Sequence, residues 1–249
     1  MIAVGGGGVI GLSVAYYLSQ AGAEVALYER DTLGQGCTWG SAGWISPSES
    51  APVVGPQAIR QAVASIGRPA SPLYLRPTLE PGLYRWLLQA VRYCSSAAAA
   101  RGLRAVAELS RTTFGLYDEL ERAGLSGNNE ILRRSRARAI ARGAAPHFDG
   151  WDDLEPGSPG PGEPEELWVG RRPLTPDGLP ILDRVEPFEN LFVATGHSML
   201  GITLGPASGQ SVAEFVLSGR RPEILEPFRL RRFPSARSGG PQSRPVTGT

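Results

Sequence analysis

A chain of 249 residues is long enough to bury a substantial core in one or two domains, and a net charge of +1 leaves no global field that would draw it to nucleic acid or an anionic membrane. All of its basic residues are arginine, alongside abundant Ala, Gly and Pro, which reads as genomic base-composition bias without functional content. Its two cysteines, Cys37 and Cys94, have neither metal-ligand spacing nor the density of a disulfide scaffold, so a reducing cytoplasm fits best, and no run of ~18 apolar residues is present to span a membrane.

The N-terminus up to Gly22 lacks the basic leading region of a signal peptide, and four consecutive glycines interrupt its apolar run. Ile2, Ala3 and Val4 form a short apolar strand that enters Gly5-Gly6-Gly7-Gly8-Val9-Ile10-Gly11. Within it, Gly6-x-Gly8-x-x-Gly11 has the dinucleotide-binding spacing, in which the glycines supply a tight turn, backbone approach to a pyrophosphate and close helix-on-strand packing. Ile10, Val14, Leu18 and Ala21 recur at helical spacing, Gly22 stands where a C-terminal cap belongs, and Val25 to Tyr28 reads as a parallel strand buried on both faces. That strand ends in Glu29, eighteen residues past Gly11, near the offset at which a carboxylate accepts hydrogen bonds from ribose hydroxyls. A mononucleotide-type strand-helix-strand unit is expected, with the helix N-terminus binding phosphate.

Asp31 to Gly43 is a small, glycine-rich loop suited to close approach by a ligand, and Cys37 within it is expected to be a small buried thiol. Gln57 to Ile66, Pro81 to Cys94 and Arg101 to Ala123 are predicted helices, the last with Val106, Leu109, Thr113, Leu116 and Leu120 on one stripe and Gly124 as its stop. Pro69, Pro72 and Pro77 confine 67–79 to an extended linker. Tyr84, Trp86, Tyr93 and Cys94 are expected in the core. Arg133, Arg134, Arg136, Arg138 and Arg142 form a solvated basic face, and His147 is expected to be structural. Asn190 to Thr195 is another expected buried strand, followed by a glycine-bearing loop and a helix over Ala207 to Ser218, with Pro206 at its start and Gly219 at its end. No metal-ligand cluster is visible.

Two further stretches carry a family resemblance. Tyr28-Glu29-Arg30 followed by Gly40-Ser41-Ala42-Gly43-Trp44-Ile45-Ser46-Pro47, and Leu167-Trp168-Val169-Gly170-Arg171-Arg172-Pro173-Leu174-Thr175-Pro176-Asp177-Gly178-Leu179-Pro180, resemble the FAD-dependent D-amino acid dehydrogenase and glycine oxidase family. The resemblance implies FAD as cofactor, bound by Gly6, Gly8, Gly11, Glu29, Arg30, Ser41, Ala42, Gly43, Trp44 and Gly196, with Gly201, Ile202 and Thr203 on the pyrimidine side of the flavin ring. It implies Arg172 as the anchor of the substrate carboxylate, with Arg171 as the alternative if the register slips by one; apart from the resemblance, a surface ion pair of Arg172 with Asp177 or Asp183 is the competing reading. His197 is then a weaker catalytic candidate, whose implied part is to orient backbone beside the ring.

The implied reaction oxidises the alpha C–N bond of a D-amino acid or glycine-like amine to an imino acid, which water converts to a 2-oxo acid and ammonia. A quinone or respiratory electron acceptor is implied by the dehydrogenase relatives and oxygen by the oxidase relatives, with a cytoplasmic location that allows peripheral association with the inner membrane. Neither a nucleic-acid partner nor a transmembrane segment is expected.

The resemblance covers about Ile2 to Leu125 and Ile131 to Phe233. The block that in the family holds most of the antiparallel substrate-domain sheet is absent between them. The expected fold is therefore α/β, a Rossmann-like FAD-binding domain with a reduced, mainly helical remnant of the substrate domain. Residues 1–56 and 167–233 would build the FAD-binding part, 57–150 the truncated helical segment, 151–166 a flexible loop and 234–249 a disordered tail. Two rival readings stand beside the enzyme: an FAD- or ADP-binding remnant impaired by internal deletion, and an NAD-dependent dehydrogenase, which shares the fingerprint but leaves Leu167 to Leu204 unexplained.

Overall fold

A computed structural model describes residues 1–37, 39, 43, 45–47, 52–56, 79–125 and 172–233. The helix expected over Gln57 to Ile66, the proline linker, the basic stretch of 126–150, the loop of 151–166 and the tail from 234 lie outside the described residues.

Strands β1 (Ile2–Gly5) and β2 (Val25–Tyr28) pair in parallel, Ile2 opposite Val25 and Gly5 opposite Tyr28, and helix α1 (Val9–Gln20) makes the crossover that a parallel pair requires. The helix ends in a Schellman motif: Gly22, at φ +82°, donates to the Ser19 carbonyl and Ala23 to that of Leu18. The expectation that β2 is buried on both faces is not met. Its first three residues are half-buried and Tyr28 is 61 % exposed, because β1 is its only strand neighbour among the described residues.

Helices α2 (Pro81–Tyr93), α3 (Ser96–Ser110) and α4 (Thr113–Arg122) follow. The single helix expected over Arg101 to Ala123 is two helices, and it starts earlier, where Ser95 Oγ accepts from the Ala98 amide at 3.2 Å as an N-cap. At the break the Ser110 hydroxyl donates back to Ala107 and the Thr113 hydroxyl leaves the helix for the Thr203 carbonyl, side-chain bonds of the kind that compete with a helical ladder. The apolar stripe nonetheless persists: Val106, Leu109, Thr113 and Leu116 are all buried.

Tyr84 is exposed, not core, while Trp86 and Tyr93 are half-buried, the latter with its hydroxyl on the Arg232 carbonyl at 2.9 Å. Cys37 is likewise exposed and Cys94 half-buried, against the burial expected of both.

Strands β3 (Ile181–Arg184) and β4 (Phe192–Thr195) form a separate antiparallel pair, and β4 is half-buried where full burial was expected. Helix α5 (Gly201–Ser218) starts six residues before the expected Ala207, so Pro206 lies inside it. Proline has no amide to give the carbonyl four residues back, that of Ile202; the Tyr117 hydroxyl of α4 donates to that carbonyl instead, at 2.7 Å. Around α5 the core gathers Leu18, Val106, Leu109, Leu182, Leu204, Leu225 and Phe228, all fully buried, and Phe215 meets Phe192 edge to face at 5.1 Å. No described helix is long and apolar enough to cross a membrane.

Helix α1 lies directly on α5 because the facing positions of α5 are Gly201, Gly205 and Gly209. A Cβ at Gly205 would lie 3.0 Å from Val9 Cγ2, and one at Gly209 would lie 2.5 Å from Ser13 Cβ and 2.7 Å from its carbonyl carbon. Helix propensity alone favours Ala over Gly by ~1 kcal/mol. Since the obstacle at Gly209 includes backbone, an overpacking cost of ~1–3 kcal/mol outweighs that gain. Gly209→Ala is therefore expected to lower the unfolding free energy in urea titration; a gain in stability would show that α1 can be displaced without cost.

Candidate functional site

The glycine loop is shaped by steric necessity. Gly6 adopts φ +103° and its amide bonds the Tyr28 carbonyl at 2.8 Å, which turns the chain sharply off β1. A Cβ at Gly11 would lie 1.9 Å from the Gly6 carbonyl oxygen, so only glycine lets the first turn of α1 close against the loop. Gly8 caps α1 in an extended conformation without a side-chain acceptor, and no acidic residue occupies the first turn.

Glu29 reaches this loop directly. Its carboxylate accepts the Gly7 amide at 2.5 Å, the Arg30 amide at 2.7 Å and the Asp31 amide at 3.1 Å, and these bonds, Gly7 first, hold its pKa below the ordinary glutamate value. Arg30 is turned to Asp31 at 3.1 Å in an exposed pair. Leu33 also packs over Gly7, where a Cβ would lie 2.5 Å from its Cδ2, and the Gly34 amide bonds the Gly7 carbonyl at 2.9 Å. The fingerprint spacing does not mark Gly7 or Leu33; the small residues of the following loop were the only hint of that fold-back.

The second group of candidates meets at the start of α5. Leu174 bridges His197 in antiparallel fashion, and the Ser198 amide bonds the Pro173 carbonyl at 3.1 Å. Gly196, at φ +82°, is held against Thr175, whose Cγ2 would lie 2.6 Å from a Cβ there. The Arg172 to Thr175 segment therefore runs alongside the Gly196–Ser198 turn. Arg172 is exposed at the near end of this segment. The two acids that could pair with it are engaged elsewhere: Asp177 pairs with Arg232 at 2.6 Å, and Asp183 pairs with Arg221 while accepting the Leu230 amide at 2.7 Å.

His197 is buried, with Nε2 3.0 Å from Ser208 Oγ on α5, and burial pushes its pKa down to about 3. The imidazole is therefore neutral in ordinary buffers and serves as a hydrogen-bonding group between the turn and the helix.

Gly201, Ile202 and Thr203 form the first turn of α5, where helix geometry leaves amide groups without intrahelical acceptors. Thr203 Oγ1 accepts the Ser46 amide at 3.1 Å, which ties Ile45-Ser46-Pro47 to this turn. Gly43 is described, at φ +69°; Ser41, Ala42 and Trp44 lie outside the described residues. Thr113 and Tyr117 of α4 bond the Thr203 and Ile202 carbonyls; sequence reasoning placed Thr113 on the buried stripe but missed these bonds, and it missed Tyr117 altogether. The missing amide of Pro206 was the one available signal, and it could not say which side chain replaces it.

Val9, the first residue of α1, packs beside Gly201, the first of α5, with Cγ1 3.6 Å from where a Cβ would lie. Two helix N-termini, neither with an acid in its first turn, thus stand side by side. Their dipoles and amides favour an extended anionic ligand.

The family described as FAD dependent oxidoreductase matches residues 1–154 and 128–215. The chain belongs to that family. FAD is the family's cofactor, and the side-chain-free approach at Gly11, the paired helix N-termini and the loop-facing Glu29 fit a dinucleotide of this kind. Among similar proteins are the D-amino acid dehydrogenase of Rhodopseudomonas palustris (strain HaA2), 37% identical over 44% of this chain and 27% of the relative. D-amino acid dehydrogenase 2 of Ralstonia nicotianae is 38% identical over 54% of this chain and 32% of its own length. The D-amino acid dehydrogenase of Methylobacterium radiotolerans is 40% identical over 41% and 22%. The matched part of the chain thus spans between about a fifth and a third of these relatives.

The buried histidine sets a pH dependence. Its folded pKa is depressed from 6.5 to about 3, so the unfolded chain binds a proton that the folded chain refuses. Stability is complete above pH 6.5 and falls as the pH drops through that window towards 3. A melting temperature followed against pH should fall below 6.5, before carboxylates titrate, and His197→Gln should flatten that part of the curve. At the other end, Gly11→Ala is expected to abolish nucleotide binding, read by flavin retention on purification.

Proposed function

We propose that this chain binds FAD with its phosphates at the glycine loop and its ring at the first turn of α5, and that it oxidises the alpha C–N bond of a D-amino acid or glycine-like amine. The observation that carries the reading is the adjacency of the two helix N-termini at Val9 and Gly201, with Glu29 at one end and the Arg172 to Thr175 segment at the other. FAD supplies the two-electron redox chemistry when bound. Gly6, Gly8 and Gly11 admit the phosphates to backbone amides, and Glu29 accepts from ribose hydroxyls once it releases the Gly7 amide. Arg30, Ser41, Ala42, Gly43, Trp44 and Gly196 line the cofactor. Gly201, Ile202 and Thr203 offer amides and the positive end of α5 to the pyrimidine side.

Arg172 takes the substrate carboxylate. A guanidinium grips a carboxylate through two parallel charge-assisted bonds, and engagement of Asp177 and Asp183 by Arg232 and Arg221 leaves Arg172 available for that role. His197, buried and neutral, orients backbone and moves no proton. In this reading residues 1–56 and 167–233 form the FAD-binding unit and 57–150 a truncated substrate-domain remnant, with a quinone or respiratory component as acceptor.

A second reading, an FAD-binding remnant without turnover, is favoured by specific observations. The family matches in two overlapping stretches, the matched part covers no more than 32% of the relatives above, and α2 leaves Tyr84, Leu88 and Val91 exposed on its surface. The purified chain, examined by flavin absorbance and then mixed anaerobically with D-alanine or D-proline, separates the two: bleaching supports the oxidoreductase, and bound flavin that never bleaches supports the remnant. Arg172→Ala should retain flavin while weakening substrate about 10- to 150-fold, the equivalent of ~1.5–3 kcal/mol for a charged hydrogen-bonded contact. Unchanged substrate affinity would remove Arg172 from the site.

A further inference from the structure

Helix α5 contains a defect at an informative place. Pro206 lacks the amide that would close the bond to the Ile202 carbonyl, so the first turn of α5 loses a bond of its own ladder. That turn is the one whose amides face the proposed flavin site. Tyr117 of α4 makes good the loss from outside, its hydroxyl donating to the Ile202 carbonyl at 2.7 Å, and one turn earlier Thr113 Oγ1 adds a bond of its own to the Thr203 carbonyl at 2.9 Å. Both side chains are well placed to hold a backbone in position. Thr113 is fully buried, and the Tyr117 phenol is sequestered enough that burial raises its pKa above the ordinary tyrosine value.

Beside them, the Tyr17 hydroxyl of α1 is buried without a hydrogen-bond partner among the described residues, and its pKa is pushed up to about 12 by burial and by Glu119. The junction of α1, α4 and α5 is thus a low-dielectric environment in which each hydrogen bond made is strong and each one lost is costly.

We propose that Tyr117 is a positioning residue for the cofactor: by replacing the amide that Pro206 lacks, it holds the first turn of α5 in the helical geometry that flavin binding uses. This rests on the proposed FAD-binding reading. Without the hydroxyl, the free chain can unwind one turn and let water solvate the Ile202 carbonyl. The flavin-bound chain must keep the turn wound and bury an unsatisfied acceptor. The penalty therefore falls on cofactor affinity more than on the stability of the free chain.

Pro206 supplies the control. Pro206→Ala restores an amide to the same carbonyl, so it should make the Tyr117 hydroxyl dispensable. FAD affinity, measured by fluorescence titration, is expected to fall about tenfold in Tyr117→Phe, the scale of one buried acceptor left unpaired. In the Pro206→Ala background the same Tyr117→Phe change should have little effect. Amide hydrogen exchange of Leu204 and Gly205, the first amides of α5 with helical acceptors, read on the flavin-free chain, should accelerate in Tyr117→Phe and return in the double variant. A Tyr117→Phe protein that binds FAD as the parent does, or a loss that Pro206→Ala fails to suppress, would overturn the proposal. A parent chain that binds no FAD would defeat the FAD-binding reading and this role with it; an intact coupling in the exchange measurement would then identify the failure as that of the cofactor assignment and not of the α4–α5 clamp.

Discussion

The close apposition of α1 and α5 is the constraint on which the remaining architecture depends. A Cβ at Gly201 would meet Val9 at an ordinary contact distance of 3.6 Å, one at Gly205 would be tight at 3.0 Å, and the backbone approach at Gly209 leaves no room for a single carbon. Val9 at the start of α1 packs against Gly201 at the start of α5, so both amide-bearing ends open on one face. The positive ends of two helix dipoles are thereby brought together by packing alone.

The C-terminal segment acts as a brace. Arg232 holds Asp177 and the Leu179 carbonyl, Asp183 is held by Arg221 and the Leu230 amide, and Tyr93 closes the loop from α2 to Arg232. These partly buried contacts keep the Arg172 to Leu179 stretch in register with β3 and with the turn at His197. Their second effect is electrostatic. Asp177 and Asp183 each have an arginine of their own, so among the described residues neither of them claims Arg172.

Among the described residues, the periphery is less covered than the centre. Tyr28 at the end of β2 is largely exposed and α2 presents Leu88 at 68 % exposure, where a strand or a second layer would bury both kinds of surface in a fully covered α/β unit. The family model matches the chain in two stretches, and the matched part spans between about a fifth and a third of the relatives named above.

The local rules of the sequence were sufficient for the strand-glycine-helix unit and for the acid after β2, because steric exclusion at glycine and an offset along two neighbouring strands act over short distances. They also marked Gly22, Gly124 and Gly219 as helix ends, since a left-handed residue there needs no tertiary support. Only the tertiary structure decided that one expected helix would be two, that α5 would begin at Gly201 with a proline inside it, and that β2 and β4 would be half-exposed. Each depends on partners far along the chain: Thr203 for the Thr113 hydroxyl, Tyr117 for the carbonyl that Pro206 leaves, and neighbouring strands for the two edges. Periodicity records which face of an element is apolar, but the donor that satisfies a distant carbonyl, or the strand that covers an edge, is determined by packing in three dimensions.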